Sequence, residues 1–235
     1  MYEMVTVRYC LKQLSKCAFE DVVFNEIVFN PAMIKLLFDE NKKFSLNIQN
    51  PILYATGYSF ENIWKFSLNC VEISECLRIY FASISTEHFD IISNILTNEG
   101  KKLPKVNFRF NNPGQQFYLQ LCDFIVQYIT TSKDFTTMVP SITFMYSDPI
   151  KLKLSDRAEN VETKRLGNKT ITTYEIANIY NPKIRFLCCN QELFTESVFK
   201  IKIKTEKEQG WKYSDFVDSS YYNYLADYRR LGHGY

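Results

Sequence analysis

A compact apolar helix followed by a short strand with alternating apolar residues recurs along this chain, and the recurrence limits the folds open to it. Residues 30–38 lead into Phe44 to Ile48, residues 87–96 into Val106 to Phe110, and Phe117 to Ile129 into Ile142 to Tyr146. Units spaced by roughly 20–40 residues predict a repeat architecture, in which each unit buries its apolar side against its neighbours.

The strands choose between architectures. A parallel sheet with helices on both faces needs nearly continuous apolar strands. These alternate instead: Phe44, Leu46 and Ile48 against Ser45, Asn47 and Gln49; Leu77, Ile79 and Phe81 against Arg78 and Tyr80; Val106, Phe108 and Phe110 against Asn107 and Arg109. Only one sheet face is then covered by helices. The reading is α/β: an irregular, leucine-rich-repeat-like solenoid of helix–strand repeats, its parallel sheet covered on one face. The strict leucine consensus is absent. Leu46, Ile79, Phe108 and Phe144 are expected to share the core, one from each aligned strand.

Local signals mark the elements. Val7, Leu11, Leu14 and Ala18 recur at helical spacing, which predicts a first helix over 7–18. Residues 22–29 are rich in β-formers and stop at Asn30 and Pro31, where Asn can cap a helix and Pro fits its first turn. Phe89, Ile92, Ile95 and Leu96 form one stripe of a helix over 87–98, with Gly100 expected as a left-handed C-cap. From Gln116 to about Thr130, Phe117, Leu121, Phe124, Ile125 and Tyr128 share a face, leaving Gln120, Asp123 and Gln127 for water.

After Tyr146 the helical period gives way to short alternating strands at 150–154, 170–174, 183–186 and 199–204, which predict an antiparallel meander. The organisation read from this is a repeat-like region over 1–148, a C-terminal β meander over 149–205 and a polar, Tyr-rich tail over 206–235.

The chain has 235 residues, 46% of them hydrophobic and 16% aromatic, which excludes a disordered chain. Twenty-eight Lys and Arg against twenty-six Asp and Glu give a formal charge of +2, so bulk charge selects neither nucleic acid nor membrane. Seven scattered cysteines read as reduced core residues rather than a disulfide framework. With no basic leader ahead of an apolar stretch and no run long enough to span a bilayer, the expectation is a cytoplasmic or nuclear protein without membrane contact.

Residue chemistry argues against an enzyme. A nucleophilic cysteine needs a nearby base, and the two histidines are His88, in the first turn of a helix, and His233, at the extreme C-terminus. Cys188 and Cys189 are adjacent on a strand and point to opposite faces, so they cannot readily share a metal. No Gly-rich phosphate loop is present. The expectation is no catalytic residue, no metal and no cofactor.

A family resemblance enters through longer phrases. Residues 156–162, 174–186 and Cys189 with Asn190, together with 29–34 and 98–106 upstream, resemble F-box-domain proteins of root-knot nematodes over roughly residues 10–204. The resemblance implies a substrate adaptor: an F-box recruits a Skp-type adaptor and the cullin ubiquitin ligase, while the repeat region holds the protein to be modified. No F-box is evident in these residues. A Skp-type partner is therefore expected only if an F-box lies upstream, and the chain reads as the recognition half.

The function expected is that of a protein-recognition module, with a stand-alone interaction or effector protein as the alternative. A nucleic-acid binder is the third reading, resting only on Lys200, Lys202, Lys204, Lys207 and the tail's Tyr and Arg residues. An alternating Lys strand is more readily read as a protected sheet edge. If the apolar strand residues face the helices, Asn47, Arg78, Tyr80, Asn107, Arg109, Thr143 and Met145 face the other way. That mixture of Arg, Tyr, Met and hydrogen-bonding side chains is the candidate protein-binding ladder.

Overall fold

Each repeated helix–strand unit becomes one step along a single sheet. The computed structural model describes residues 2–24, 30–38, 44–55, 60–82, 84–111 and 115–204. The tail over 206–235, His233, Lys207 and the end of the 22–29 strand lie outside the described residues. The elements are α1 (Tyr2–Leu14), β1 (Ala18–Phe24), α2 (Pro31–Leu37), β2 (Leu46–Ala55), α3 (Phe60–Cys70), β3 (Val71–Ile73) and β4 (Leu77–Phe81). There follow a 3-10 turn (Thr86–His88), α4 (Phe89–Asn98), β5 (Val106–Phe110), α5 (Gln115–Thr131) and β6 (Ser141–Tyr146). Four strands complete the described chain: β7 (Glu159–Leu166), β8 (Lys169–Ala177), β9 (Arg185–Glu192) and β10 (Ser197–Ile203).

The protein is thus a mixed α/β chain built on one ten-stranded sheet of order β1-β2-β4-β5-β6-β10-β9-β8-β7, with β3 beside β2. The first five strands of that order run parallel. The C-terminal strands pair antiparallel, as the meander reading expects, and β10 joins them to β6. Since β10 lies between β6 and β9, its Lys200 and Lys202 are not on a sheet edge. The edge reading of that strand is corrected: alternation on an interior strand looks the same as on an edge, because it reports the two faces and not the strand's neighbours.

Every buried apolar residue of α2 to α5 joins one cluster with one set of strand residues, among them Leu53, Ile79, Phe108 and Phe144. Leu53, Ile79, Phe108 and Phe144 stand in register across four strands. Leu46 belongs to the same core but sits opposite Val71 of β3, so Leu53 holds the place in the row expected for it. The core is aromatic-rich: Phe108 stacks on Phe144 with ring centroids 6.2 Å apart, and Phe81 stacks on Phe110 at 5.1 Å.

The helix ends have identifiable causes. Asn30 accepts the Ala32 N–H at 2.9 Å and caps α2, with Pro31 in its first turn. On α5, Gln120, Asp123 and Gln127 are exposed and the predicted apolar face turns inward. Gly100 differs from its expected role. It has no left-handed φ, and its N–H bonds Thr137 O at 2.7 Å, while an added Cβ would lie 2.0 Å from Met138 O. Close backbone approach, rather than a left-handed cap, is what requires glycine there.

Other stretches depart from the sequence reading as well. α3 was not marked by any cap signal, yet it buries Phe60, Ile63, Trp64, Phe66 and Cys70. The strand expected over 150–154 does not form. There, Ser197 Oγ accepts the Ile150 N–H and donates to Asp148 O at 3.0 Å or Ile150 O at 3.1 Å, so a β10 hydroxyl takes up backbone groups that a ladder would otherwise satisfy.

Candidate functional site

Strand alternation places a second set of side chains on the sheet face away from the helical core. In register, Arg78 of β4 stands beside Asn107 of β5 and Asn107 beside Thr143 of β6. One step along, Tyr80 stands beside Arg109 and Arg109 beside Met145. Six of the seven candidate residues therefore stand in two rows across β4, β5 and β6. Asn47 does not join it, because it pairs with Ala18 of β1 and Glu72 of β3. Tyr54 holds the β2 position instead, in register with Tyr80 and stacked on it at 5.3 Å. Alternation through Ile52 and Tyr54 was the signal that could have found it. The rows continue into β10, with Thr143 beside Lys200 and Met145 beside Val198.

The face is less open than the sequence suggests. Arg78, Arg109 and Met145 are half-buried, while Tyr80, Asn107 and Thr143 are buried. On a wide sheet each side chain has a ladder neighbour on both sides, so the long Arg and Tyr side chains shield the shorter Asn and Thr between them. Ile171, Leu187, Cys189 and Val198 are also buried but stand outside the helical core cluster. Cys188 does belong to that cluster, which puts the two adjacent cysteines on opposite faces.

Charge on this face is paired with carboxylates of the same chain. Arg109 lies 3.5 Å from the Glu196 carboxylate, and their side chains are only 13% and 7% exposed, so the pair is weakly screened. Arg78 lies 3.5 Å from Asp21 of β1, whose carboxylate is well exposed. Burial lowers the Lys169 ammonium pKa, opposed by Cys189 and Glu196. Arg185 donates to Glu175 at 2.6 Å and also pairs with Glu159, and these carboxylates raise its pKa further.

Two polar atoms stand out against this pairing. Asn107 Oδ1 and Arg78 Nε are buried and have no hydrogen-bond partner among the described residues, and Asn107 as a residue is only 8% exposed. A desolvated acceptor and a desolvated cationic donor in adjacent register positions are together complementary to a group that supplies both an N–H and an oxygen, such as a peptide unit or a side-chain amide.

Of the residues weighed for chemistry, His88 and the cysteines fall within the described residues. His88 Nδ1 lies 2.9 Å from Ser85 Oγ and the ring sits edge-on to Phe60 at 5.3 Å, a capping box on the 3-10 turn that precedes α4. Burial pushes the thiol pKa values of Cys70, Cys122 and Cys188 up. Among the described residues no group of three or more His, Cys, Asp or Glu could hold a metal ion. No described helix is long and apolar enough to cross a membrane.

The family described as a domain of unknown function (DUF8381) matches residues 1–82, which include α1 through β4. No curated protein and no solved structure matches the chain.

Proposed function

We propose that this chain is a protein-recognition module whose binding surface is the ladder of Arg78, Tyr80, Asn107, Arg109, Thr143 and Met145. The observation that carries the reading is the unpartnered Asn107 Oδ1 beside the unpartnered Arg78 Nε. Leaving a buried acceptor or donor unsatisfied costs about 1–3 kcal/mol, so a partner that supplies both bonds recovers that cost as affinity. Arg, Tyr and Met around them are the residue types that dominate protein interfaces.

The irregular leucine-rich-repeat-like reading fits this use. Parallel strands follow one another in chain order from β1 to β6, with the helices' apolar residues gathered on one side, and solenoids of that kind present their strands to partners. The resemblance to F-box-domain proteins supports a substrate-holding role in a ubiquitin-ligase adaptor, with Skp recruitment dependent on an F-box upstream. A stand-alone interaction protein would use the same face. We read the chain as a binder and not an enzyme.

The test is affinity capture from the producing cells with the wild-type chain and with Arg78→Ala combined with Asn107→Leu, after circular dichroism and thermal melting show both folded. Loss of a specific protein from the variant's captured set is expected. An unchanged set would remove this face from the reading.

A further inference from the structure

The opposite end of the sheet carries a surface of a different kind. β7 ends the strand order and pairs only with β8 among the described residues, and all eight of its residues are exposed. Among the described residues its outer backbone edge carries no strand, the arrangement to which another strand can add. The hairpin that presents it is well defined: β7 and β8 join through Gly167 and Asn168, and Gly167 alone takes a positive φ of 61°, as a two-residue hairpin turn of the II′ kind requires.

Natural edges are guarded by charge, and a guard of one sign would repel a second copy. β7 carries both signs, ordered along the strand, with Glu159 and Glu162 before Lys164 and Arg165. Two copies related by a two-fold axis can pair their β7 edges only antiparallel, and the axis must then pass midway between the two copies of one residue, because opposed residues turn their side chains to the same face. Centred on Glu162, the pairing sets that carboxylate against itself. Centred on Lys164, it sets two ammonium groups together. Centred on Thr163, it places Glu162 of each copy opposite Lys164 of the other, twice, and Val161 opposite Arg165.

We propose that β7 is a self-association edge, by which two copies of this chain join antiparallel about Thr163 to extend the sheet across both. Within one copy Lys164 and Glu162 lie 3.4 Å apart and are well exposed, so these charges can turn to a second copy without losing buried contacts. The exposed Val161 and Leu166 add apolar area on the two sides of the ladder. A register shift between Glu159 and Glu162, with Asn160 at φ 52°, ends the regular edge on one side and confines the pairing to the residues around Thr163. The contact is small, so association is weak and depends on concentration and salt.

The experiment is sedimentation equilibrium of the full chain at low salt, up to about 1 mM, the range in which small contacts associate. Wild type is expected to self-associate, and added salt to weaken it. Chains carrying Glu162→Lys or Lys164→Glu alone are each expected to associate at least about tenfold more weakly, since each change opposes like charges twice. An equimolar mixture of the two variants restores the opposite-charge pairs and is expected to associate about as wild type does. Circular dichroism verifies the fold of each variant. A wild-type chain that stays monomeric throughout overturns the proposal, as do variants that associate like wild type or a mixture no stronger than its components.

Discussion

The backbone of Gly100, just after α4, lies against that of Met138: a Cβ on the glycine would stand 2.0 Å from Met138 O. The same approach lets Gly100 N–H bond Thr137 O at 2.7 Å and Val139 N–H bond Leu96 O at 2.9 Å, stitching the end of α4 to the segment before β6. Gly100→Ala must therefore move backbone against backbone. The expected loss is about 1–3 kcal/mol, the range for overpacked sites, measured by denaturant unfolding. A neutral substitution would mean that the two segments are not in contact.

Phe108 sits at the centre of the sheet, between Ile79 and Phe144, with its ring against Phe81 and Phe144. It is fully buried. Phe108→Ala is expected to cost about 3–5 kcal/mol in the same measurement. A loss below about 1 kcal/mol would place Phe108 at the surface and overturn the strand register.

Asn178 links the C-terminus of α5 to the chain after β8. Its amide donates to Ile129 O at 2.9 Å, Thr130 O at 3.0 Å and Ser132 O at 2.9 Å, while its carbonyl accepts from Tyr180 and Asn181 N–H, each at 2.9 Å. Asn178→Ala removes these side-chain bonds together, with an expected cost of at least about 2 kcal/mol. Hydrogen exchange should show the Ile179 amide, bonded to Thr130 O at 3.0 Å, losing protection before the amides of β5 and β6. Uniform loss across the sheet would argue against a local anchor.

Cys10 and Cys17 are exposed, and the other five thiols are buried. Burial raises the pKa values of Cys70, Cys122 and Cys188, which suppresses the reactive thiolate. Two of the seven thiols are expected to react quickly with a thiol reagent in the native protein, and the rest only on unfolding. The folded state keeps the buried thiols protonated. This contribution to stability is complete below the ordinary thiol pKa of about 8.5 and is lost as pH rises from there toward the raised folded values. Chemical denaturation should therefore show stability falling above that pH, and a rise would contradict the burial of Cys122 and Cys188.

The helix–strand alternation was legible because each unit states its own ends: Asn30 and Pro31 open α2, and the apolar stripes of α4 and α5 are interrupted on schedule by polar residues. α3 escaped because Phe, Ile, Trp, Ser, Asn and Cys are middling helix formers, and packing of Phe60, Ile63 and Phe66 into the core supplies what propensity lacks. β7 escaped for the opposite reason. Exposed on every residue, it has no apolar alternation to detect, and only its pairing with β8 makes it a strand. The ladder was readable from alternation within strands, but the place of Asn47 was not. Register between strands is set by how β2 divides its length between β3 and β4, and that is a tertiary choice.

The reading of the second sheet face as a partner surface is tested most directly by site-specific photo-crosslinking in the producing cells. A photoreactive phenylalanine analogue would be placed at the half-buried Met145, in the ladder, or at Gln120, on the exposed side of α5. The expected result is a discrete protein adduct from position 145, absent from position 120 and lost when Arg78→Ala and Asn107→Leu are added to a folded chain. No adduct from position 145, or the same adduct from both positions, would contradict the assignment of this face to recognition.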